Sequence, residues 1–291
     1  MMSEIRFALS SGDRFNSVAF DRLLTGMTRR APEPQREIVI DLSSARFMDP
    51  YGMVCLVMLA RSLQRDDHPV AFVLTSDSDA LQFGHSMGFH DHLALYSSLR
   101  NTGRTRATTR VGTHGLGLTP IQAGTDVALV VGHFLELARA ELGFNVGDLV
   151  DSAKIVSELS SNVKDHSQDQ GLAAAHLYRD RQGRRYVSIG VADLGIGIRQ
   201  SLSRRHAEAS QWTHAQAVAQ ALEGLSSRAA GGGLGLSSVR DLVRRYQGHL
   251  AVRSGDAKLQ LSADKQPQAL HVAYFDGAQV GISFSQVTDK G

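Results

Sequence analysis

The sequence predicts a two-domain chain, an α/β sandwich followed by an α+β sandwich, and three observations carry that. The chain has 291 residues, room for about two domains at roughly 100–200 residues each. In residues 1–98 short apolar runs alternate with helical periodicity, the pattern of partly parallel strands joined by helices. After Pro120 two long helical patterns precede a series of strands, as expected of helices laid on a mostly antiparallel sheet. Residues 99–119 are polar, basic and aperiodic, with Gly112, Gly115 and Gly117 at their end, and read as a linker. Thr109 to Val111 is its best-suited piece for a strand. The expected domains are therefore 1–98 and 120–291.

Residues 4–10 read as a strand and 15–29 as an amphipathic helix. Phe15, Val18, Phe20, Leu23, Leu24 and Met27 recur there at helical spacing, and Pro32 and Pro34 follow as breakers. Only one strand is evident before this helix. Ile38–Leu42 is a buried strand, 51–65 a helix, 70–75 a strand and 77–87 a short helix. In the second half, helices are expected at about 122–142 and 147–166. Strands follow at 172–179, 185–192, 249–253, 269–275 and 279–285.

Composition excludes several classes. Hydrophobic residues make up 42% and charged residues 21%, ordinary for a soluble globular protein. A formal charge of +2 is too small to imply nucleic-acid binding, and the pairs Arg29–Arg30, Arg184–Arg185, Arg204–Arg205 and Arg244–Arg245 read as solvated faces. Cys55 is the single cysteine, so no intrachain disulfide forms; within Val54–Leu59 it reads as a core residue. No signal pattern opens the chain and no apolar run nears the roughly 20 residues that span a bilayer. The chain reads as cytoplasmic, with no membrane contact. His85, His90 and His92 fall at a helix end and turn and do not make the four-ligand set of a structural zinc site.

Three blocks carry chemistry. In Glu158-Leu-Ser-Ser-Asn162-Val-Lys-Asp-His166, Glu158, Asn162 and His166 lie at i, i+4 and i+8 on one helical face, beside an apolar stripe of Ile155, Leu159 and Val163. The Asn carbonyl oxygen suits Mg²⁺ that also contacts phosphates, and a Glu one turn earlier is placed to take a proton. The same pattern also describes a solvent-facing polar stripe. In Asp193-Leu-Gly195-Ile-Gly197, a strand-end carboxylate can accept from an exocyclic amino group, and the glycines let backbone approach a flat base. An ordinary glycine turn is the alternative. In Gly231-Gly232-Gly233-Leu234-Gly235-Leu236, a glycine loop opens a helix, with Ser237 or Ser238 as N-cap, Asp241 as capping-box partner and Gly248 at the far end. Free N–H groups there form an anion site. No Gly-Lys-Ser/Thr follows, so it is not a P-loop.

In this order the blocks resemble the N, G1 and G2 boxes of the histidine kinase-like ATPase superfamily, which includes gyrase B, MutL, sensor histidine kinases and anti-sigma-factor serine kinases. The resemblance covers roughly 120–291 and implies a Bergerat-type (GHKL) α/β sandwich binding ATP and Mg²⁺ between helices and sheet. It implies that Glu158 is the catalytic acid/base, Asn162 the magnesium ligand and Asp193 the reader of adenine. His166, Gly195, Gly197, Arg228 and Gly231 to Leu236 complete the ATP site, the last as its lid. Glu-x-x-x-Asn-x-x-x-His most resembles the anti-sigma serine kinase branch. One departure is Gly277-Ala278-Gln279, where the family's last strand usually opens with Gly-Thr.

The first half resembles a STAS domain, the fold of anti-sigma-factor antagonists, through Ile38-Val-Ile-Asp-Leu-Ser-Ser-Ala-Arg-Phe-Met-Asp49-Pro50-Tyr51-Gly52 and the later Met87-Gly88-Phe89 turn. The family's phosphorylated Ser/Thr position is occupied here by Pro50-Tyr51, so the usual switch is absent. Together the resemblances imply an ATP- and Mg²⁺-binding regulator that acts by partner switching, as a serine/threonine protein kinase or ATPase. Its partner would be a sigma factor or a STAS-type antagonist, with homodimerisation through the ATPase fold. The tethered STAS half is expected to contact the ATPase half as a built-in pseudo-substrate. The alternative is a catalytically weak, nucleotide-gated interaction module.

Overall fold

The computed structural model of the chain describes residues 4–9, 14–30, 36–75, 78–101, 115–166, 170–225 and 241–286. The N-terminal unit opens with β1 (Glu4–Ala8), a two-residue β2 (Arg14–Phe15) and helix α1 (Ser17–Arg30). Then come β3 (Glu37–Asp41), a short β4 (Phe47–Met48), α2 (Pro50–Arg65), β5 (Val70–Leu74), α3 (Asp79–Ser86), α4 (Phe89–Ala94) and β6 (Ser98–Asn101). Strands β1, β3, β5 and β6 form a parallel sheet in the order β1-β3-β5-β6. β2 pairs with β4, so a second strand does precede the first helix. Two residues long and not alternating, it leaves no periodic signal.

The second unit begins with β7 (Gly115–Ile121), α5 (Gly124–Glu141) and α6 (Val146–His166). Strands β8 (Gly171–Arg179) and β9 (Arg185–Ala192) precede helices α7 (Gly197–Ser203) and α8 (His214–Leu222), with a 3-10 turn at Ala207–Gln211 between them. Residues 241–245 are helical, and β10 (His249–Ser262) and β11 (Gln268–Ser285) close the chain. The five strands form an antiparallel sheet, β10-β11-β9-β8-β7. Of the stretch 99–119 read as a linker, 99–101 and 115–119 are strand, and Thr109–Val111 lies outside the described residues. The strands expected at 269–275 and 279–285 are one strand. It is bent where the β10–β11 register slips between Ser254 and Ala257, and Gly277 takes φ +76°. The strand expected at 249–253 runs on to Ser262 for the same reason, because its polar far half pairs across that bend. No helix among the described residues is long and apolar enough to cross a membrane.

Strand alternation decides how the units sit together. Ala173, Ala175, Val187, Ile189, Val191, Ile282 and Phe284 face α5, α6 and α8 in one core. Their neighbours Leu172, Ala174 and Ala192, with Phe275, face the other way and join the core of α1 and α2. The molecule is thus layered as parallel sheet, α1/α2, antiparallel sheet, then α5–α8. Helix α2 lies between two sheets, which is why nearly every residue from Pro50 to Leu63 is buried. Asp49 caps it, its carboxylate accepting from Gly52 N at 2.7 Å, with Pro50 in the first turn. Cys55 is wholly buried and its thiol pushed up by that burial, the core role expected of it.

The sheet makes room for α2 with glycines. A Cβ on Gly190 would lie 2.5 Å from Tyr51 N, and one on Gly281 would lie 2.8 Å from the Tyr51 ring. Gly190→Ala should therefore push the layers apart and cost about 2–3 kcal/mol of stability, read as a shifted urea midpoint. An unchanged midpoint would mean α2 is not seated there.

Polar groups lock the same seam. Arg253 and Lys258 of β10 are 0% and 1% exposed, and both bind Asp21 of α1, at 3.3 Å and 2.6 Å. Lys258 also donates to Ser17 O at 3.1 Å. The Arg253 guanidinium lies 5.7 Å from the ring centroids of both Phe20 and Phe275 and donates to Ala273 O. Beside this cluster a cavity of about 290 Å³ opens between the units, with Arg14, Asp49, Tyr178 and Ser283 in its wall. Burial raises the Asp49 carboxyl to about 6, against the pull of the Gly52 N–H, Arg14 and Lys258.

Candidate functional site

Helix α6 runs over Glu158, Asn162 and His166, and it sets Glu158 and Asn162 one turn apart, as the spacing requires. Ile155, Val156 and Leu159 seat it in the inner core. Glu158 is 8% exposed and Asn162 half-buried, so this is not a solvated polar stripe. Glu158 also edges a groove of about 800 Å³ between α5 and α6, with Leu135, Arg139 and Lys154. The side chains of Val163 and His166, together with Arg228, Gly231, Gly232, Gly233, Leu234, Gly235, Leu236 and the caps Ser237 and Ser238, lie outside the described residues. Beyond them, Gln247 and not Gly248 takes the positive φ, at +45°. Gly248 is needed because a Cβ there would run into Ser283 O.

Asp193 sits immediately after β9. By the alternation of Ile189 and Val191 it falls on the inner side, while Leu194 joins the outer core. Its Oδ1 accepts from Gly195 N at 2.7 Å, and its own N–H donates to Ala278 O at 3.0 Å. Burial raises this carboxyl to about 7, only partly offset by hydrogen bonding from the backbone N–H groups of Gly195 and Ala278. An acid buried with no cation beside it among the described residues favours a ligand that donates a hydrogen bond.

The loop after Asp193 is pinned to the β10–β11 bend. Ser254 Oγ donates to Gly277 O and accepts from Ile198 N, both at 2.9 Å. Gly197 has φ +72°, and a Cβ on it would sit 2.8 Å from Ser254 Oγ. Gly277, at φ +76°, has the Asp193 carbonyl where its Cβ would be. Gln279, fully buried, donates through Nε2 to Asp193 O at 3.2 Å and to Asp276 O at 2.7 Å. Sequence reading missed Gln279 as part of this corner. The signal available was the departure Ala278-Gln279 itself, read only as a lost hydroxyl.

Residues 147–268 match the family model described as "Histidine kinase-, DNA gyrase B-, and HSP90-like ATPase". This stretch is a domain of that family. The match begins at the first turn of α6 and ends where β11 starts, so this ATPase-family domain carries Glu158, Asn162, Asp193 and the glycine loop, with Gln279 just beyond. A solved structure titled "Mycobacterial sensor histidine kinase MprB" is similar at 18% identity, over 58% of this chain and 99% of that one, with a TM-score of 0.28. No curated protein matches the chain.

The chemistry of the ATPase-family domain fits an adenine nucleotide at Asp193. A buried carboxyl raised by desolvation stands at the start of a half-buried turn that carries Gly195 and Gly197. Asn162, one turn beyond the buried Glu158, carries a neutral hard oxygen of the kind that suits magnesium.

The expected pseudo-substrate geometry is not the one adopted. Pro50 and Tyr51 abut Gly190 and Gly281 on the outer face of the sheet, and α6 packs on the inner face. The Tyr51 hydroxyl is buried beside Cys55, its pKa raised by that burial. Sequence could not place this stretch, because which sheet face it meets depends on packing between units. His90, next to His85, is held neutral by burial and by that neighbour, its pKa lowered to about 4. His92 Nδ1 lies 2.9 Å from Gly88 O.

Proposed function

We propose that the protein is an ATP- and Mg²⁺-binding regulator of the anti-sigma serine/threonine kinase type that acts on a protein partner in trans. The observation that carries this reading is the pairing of the buried, desolvated Asp193 with the Glu158–Asn162 face in one family-matched domain. Asp193 accepts from the adenine amino group and so selects the base. Asn162 holds the metal, and bound magnesium neutralises charge on the phosphates. Glu158 takes the proton of water or of a partner's hydroxyl. The partner is a separate protein, a sigma factor or a STAS-type antagonist, since Pro50-Tyr51 is sealed in the seam and the N-terminal STAS-like unit offers no acceptor there. Homodimerisation and a cytoplasmic location belong to the same reading.

The test incubates the purified chain with Mg²⁺ and γ-labelled ATP, alone and with candidate partners. Label should leave ATP for phosphate or for the partner, and Glu158→Ala should slow this by about 100-fold or more. Asn162→Ala should remove the Mg²⁺ dependence of binding. A rate unchanged in Glu158→Ala would rule out its role. A second reading, a nucleotide-gated interaction module with negligible turnover, is favoured by Ala278, whose side chain puts no hydroxyl beside Asp193. Tight ATP binding with no loss of label under any condition would select it.

A further inference from the structure

The corner that carries Asp193 is tied to the N-terminal unit by a continuous run of buried polar contacts. Once β9 ends, the Asp193 carbonyl has left the strand ladder, and the Gln279 amide takes it up at 3.2 Å. The same side chain turns its oxygen toward Arg253, 3.5 Å away, and Arg253 binds Asp21 of α1. A second branch leaves through the other Gln279 contact, because Asp276, whose carbonyl Gln279 also holds, is bound by Arg65 of α2 at 2.6 Å. Arg253 and Gln279 are fully buried and Asp193 nearly so. Next along β10, Ser254 pins the 193–198 loop to the β11 bend through Ile198 N and Gly277 O. Adjacent residues of one strand thus serve the N-terminal seam and the nucleotide corner.

We propose that Gln279 is the positioning residue for Asp193, and that the N-terminal unit sets base selection at the nucleotide site through Asp21–Arg253–Gln279 and Arg65–Asp276–Gln279. The inference rests on Asp193 being the adenine-reading acid. A carboxylate selects adenine over guanine only while held where the 6-amino group donates to it, since guanine presents a carbonyl at that position. Losing the Gln279 amide leaves the Asp193 carbonyl without its donor and frees the turn that aims the side chain.

Calorimetric titration with ADP and GDP, which avoids turnover, compares the wild type with Gln279→Met, Asp21→Asn and Arg65→Met. Gln279→Met should weaken ADP binding about tenfold and leave GDP nearly unchanged, collapsing the ADP/GDP ratio, in the usual range of coupling between sites. Asp21→Asn should lower the ratio in the same direction, and the Asp21→Asn/Gln279→Met double variant should lose less than the two singles combined. A merely structural role weakens both nucleotides alike and leaves the ratio where it was. Arg65 is half exposed, so its variant folds in any case and keeps the N-terminal arm testable.

A ratio unchanged in Gln279→Met, with ADP binding still lost in Asp193→Asn, overturns the proposal and leaves the adenine reading standing. If the wild type does not discriminate ADP from GDP, the adenine reading fails instead. Hydrogen exchange in the nucleotide-free protein then decides the coupling alone: residues 193–198 should exchange faster in Gln279→Met and Arg65→Met, and equal exchange overturns it.

Discussion

Asp193→Asn should abolish ATP binding and at the same time make the nucleotide-free protein more stable at pH 8. The buried carboxyl is raised from 3.8 to about 7, so the folded protein binds this proton more tightly than the unfolded chain does. Its contribution to stability is fully present below about pH 4 and is lost as pH rises through 7. Asparagine keeps the oxygen that Gly195 N–H needs and has no charge to desolvate. The variant should gain about 2–4 kcal/mol over wild type at pH 8 and nothing at pH 4, read by urea denaturation at both. Asp49, raised to about 6, leaves the variant a smaller slope of the same sign. Binding runs the other way. The carboxylate accepts from the adenine amino group far more strongly than the neutral acid does, so wild-type affinity should rise about tenfold from pH 6 to pH 8 as the proton leaves. The variant should show only the slope that the phosphates carry themselves. If it bound ATP like wild type, Asp193 would not be the base reader.

The other large effect is expected at the seam. Asp21→Ala removes the carboxylate that Arg253 and Lys258 share, both essentially without solvent. Two buried cations would then lack a counter-charge, which costs about 3–5 kcal/mol. Salt should not restore the loss, since buried charges are poorly screened. Replacing all three together (Asp21→Leu, Arg253→Met and Lys258→Met) should recover most of it, because an apolar set of similar volume has nothing left to desolvate. The check is the denaturation midpoint of each variant. A single substitution that costs under about 1 kcal/mol, the worth of a surface pair, would mean the charges are hydrated.

Much of the candidate site was legible in the chain. The i, i+4, i+8 spacing put Glu158, Asn162 and His166 on one helix, and α6 runs over all three. The apolar run ending at Ala192 predicted a strand and set Asp193 at its end, where β9 stops. Both follow from local periodicity, which a sequence carries in full. The bend at Gly277 was not legible, because two strand-like runs broken by a turn residue read as two strands. Gln279 was not legible as a support for Asp193, since 86 positions of chain separate them and no local pattern links them.

By itself, then, the sequence determined a partly parallel first sheet, a mostly antiparallel second one, and the order of acid, amide and glycine blocks along α6 and after β9. All of these are read from local periodicity and the order of elements along the chain. Only the tertiary structure decided that the N-terminal unit closes over the outer face of the second sheet, with Tyr51 against Gly190 and Gly281 and Asp21 between Arg253 and Lys258. In the chain those residues are unremarkable glycines and ordinary charges. They acquire their roles only where two distant surfaces exclude water together, since burial alone makes a missing side chain a socket and a shared carboxylate a lock.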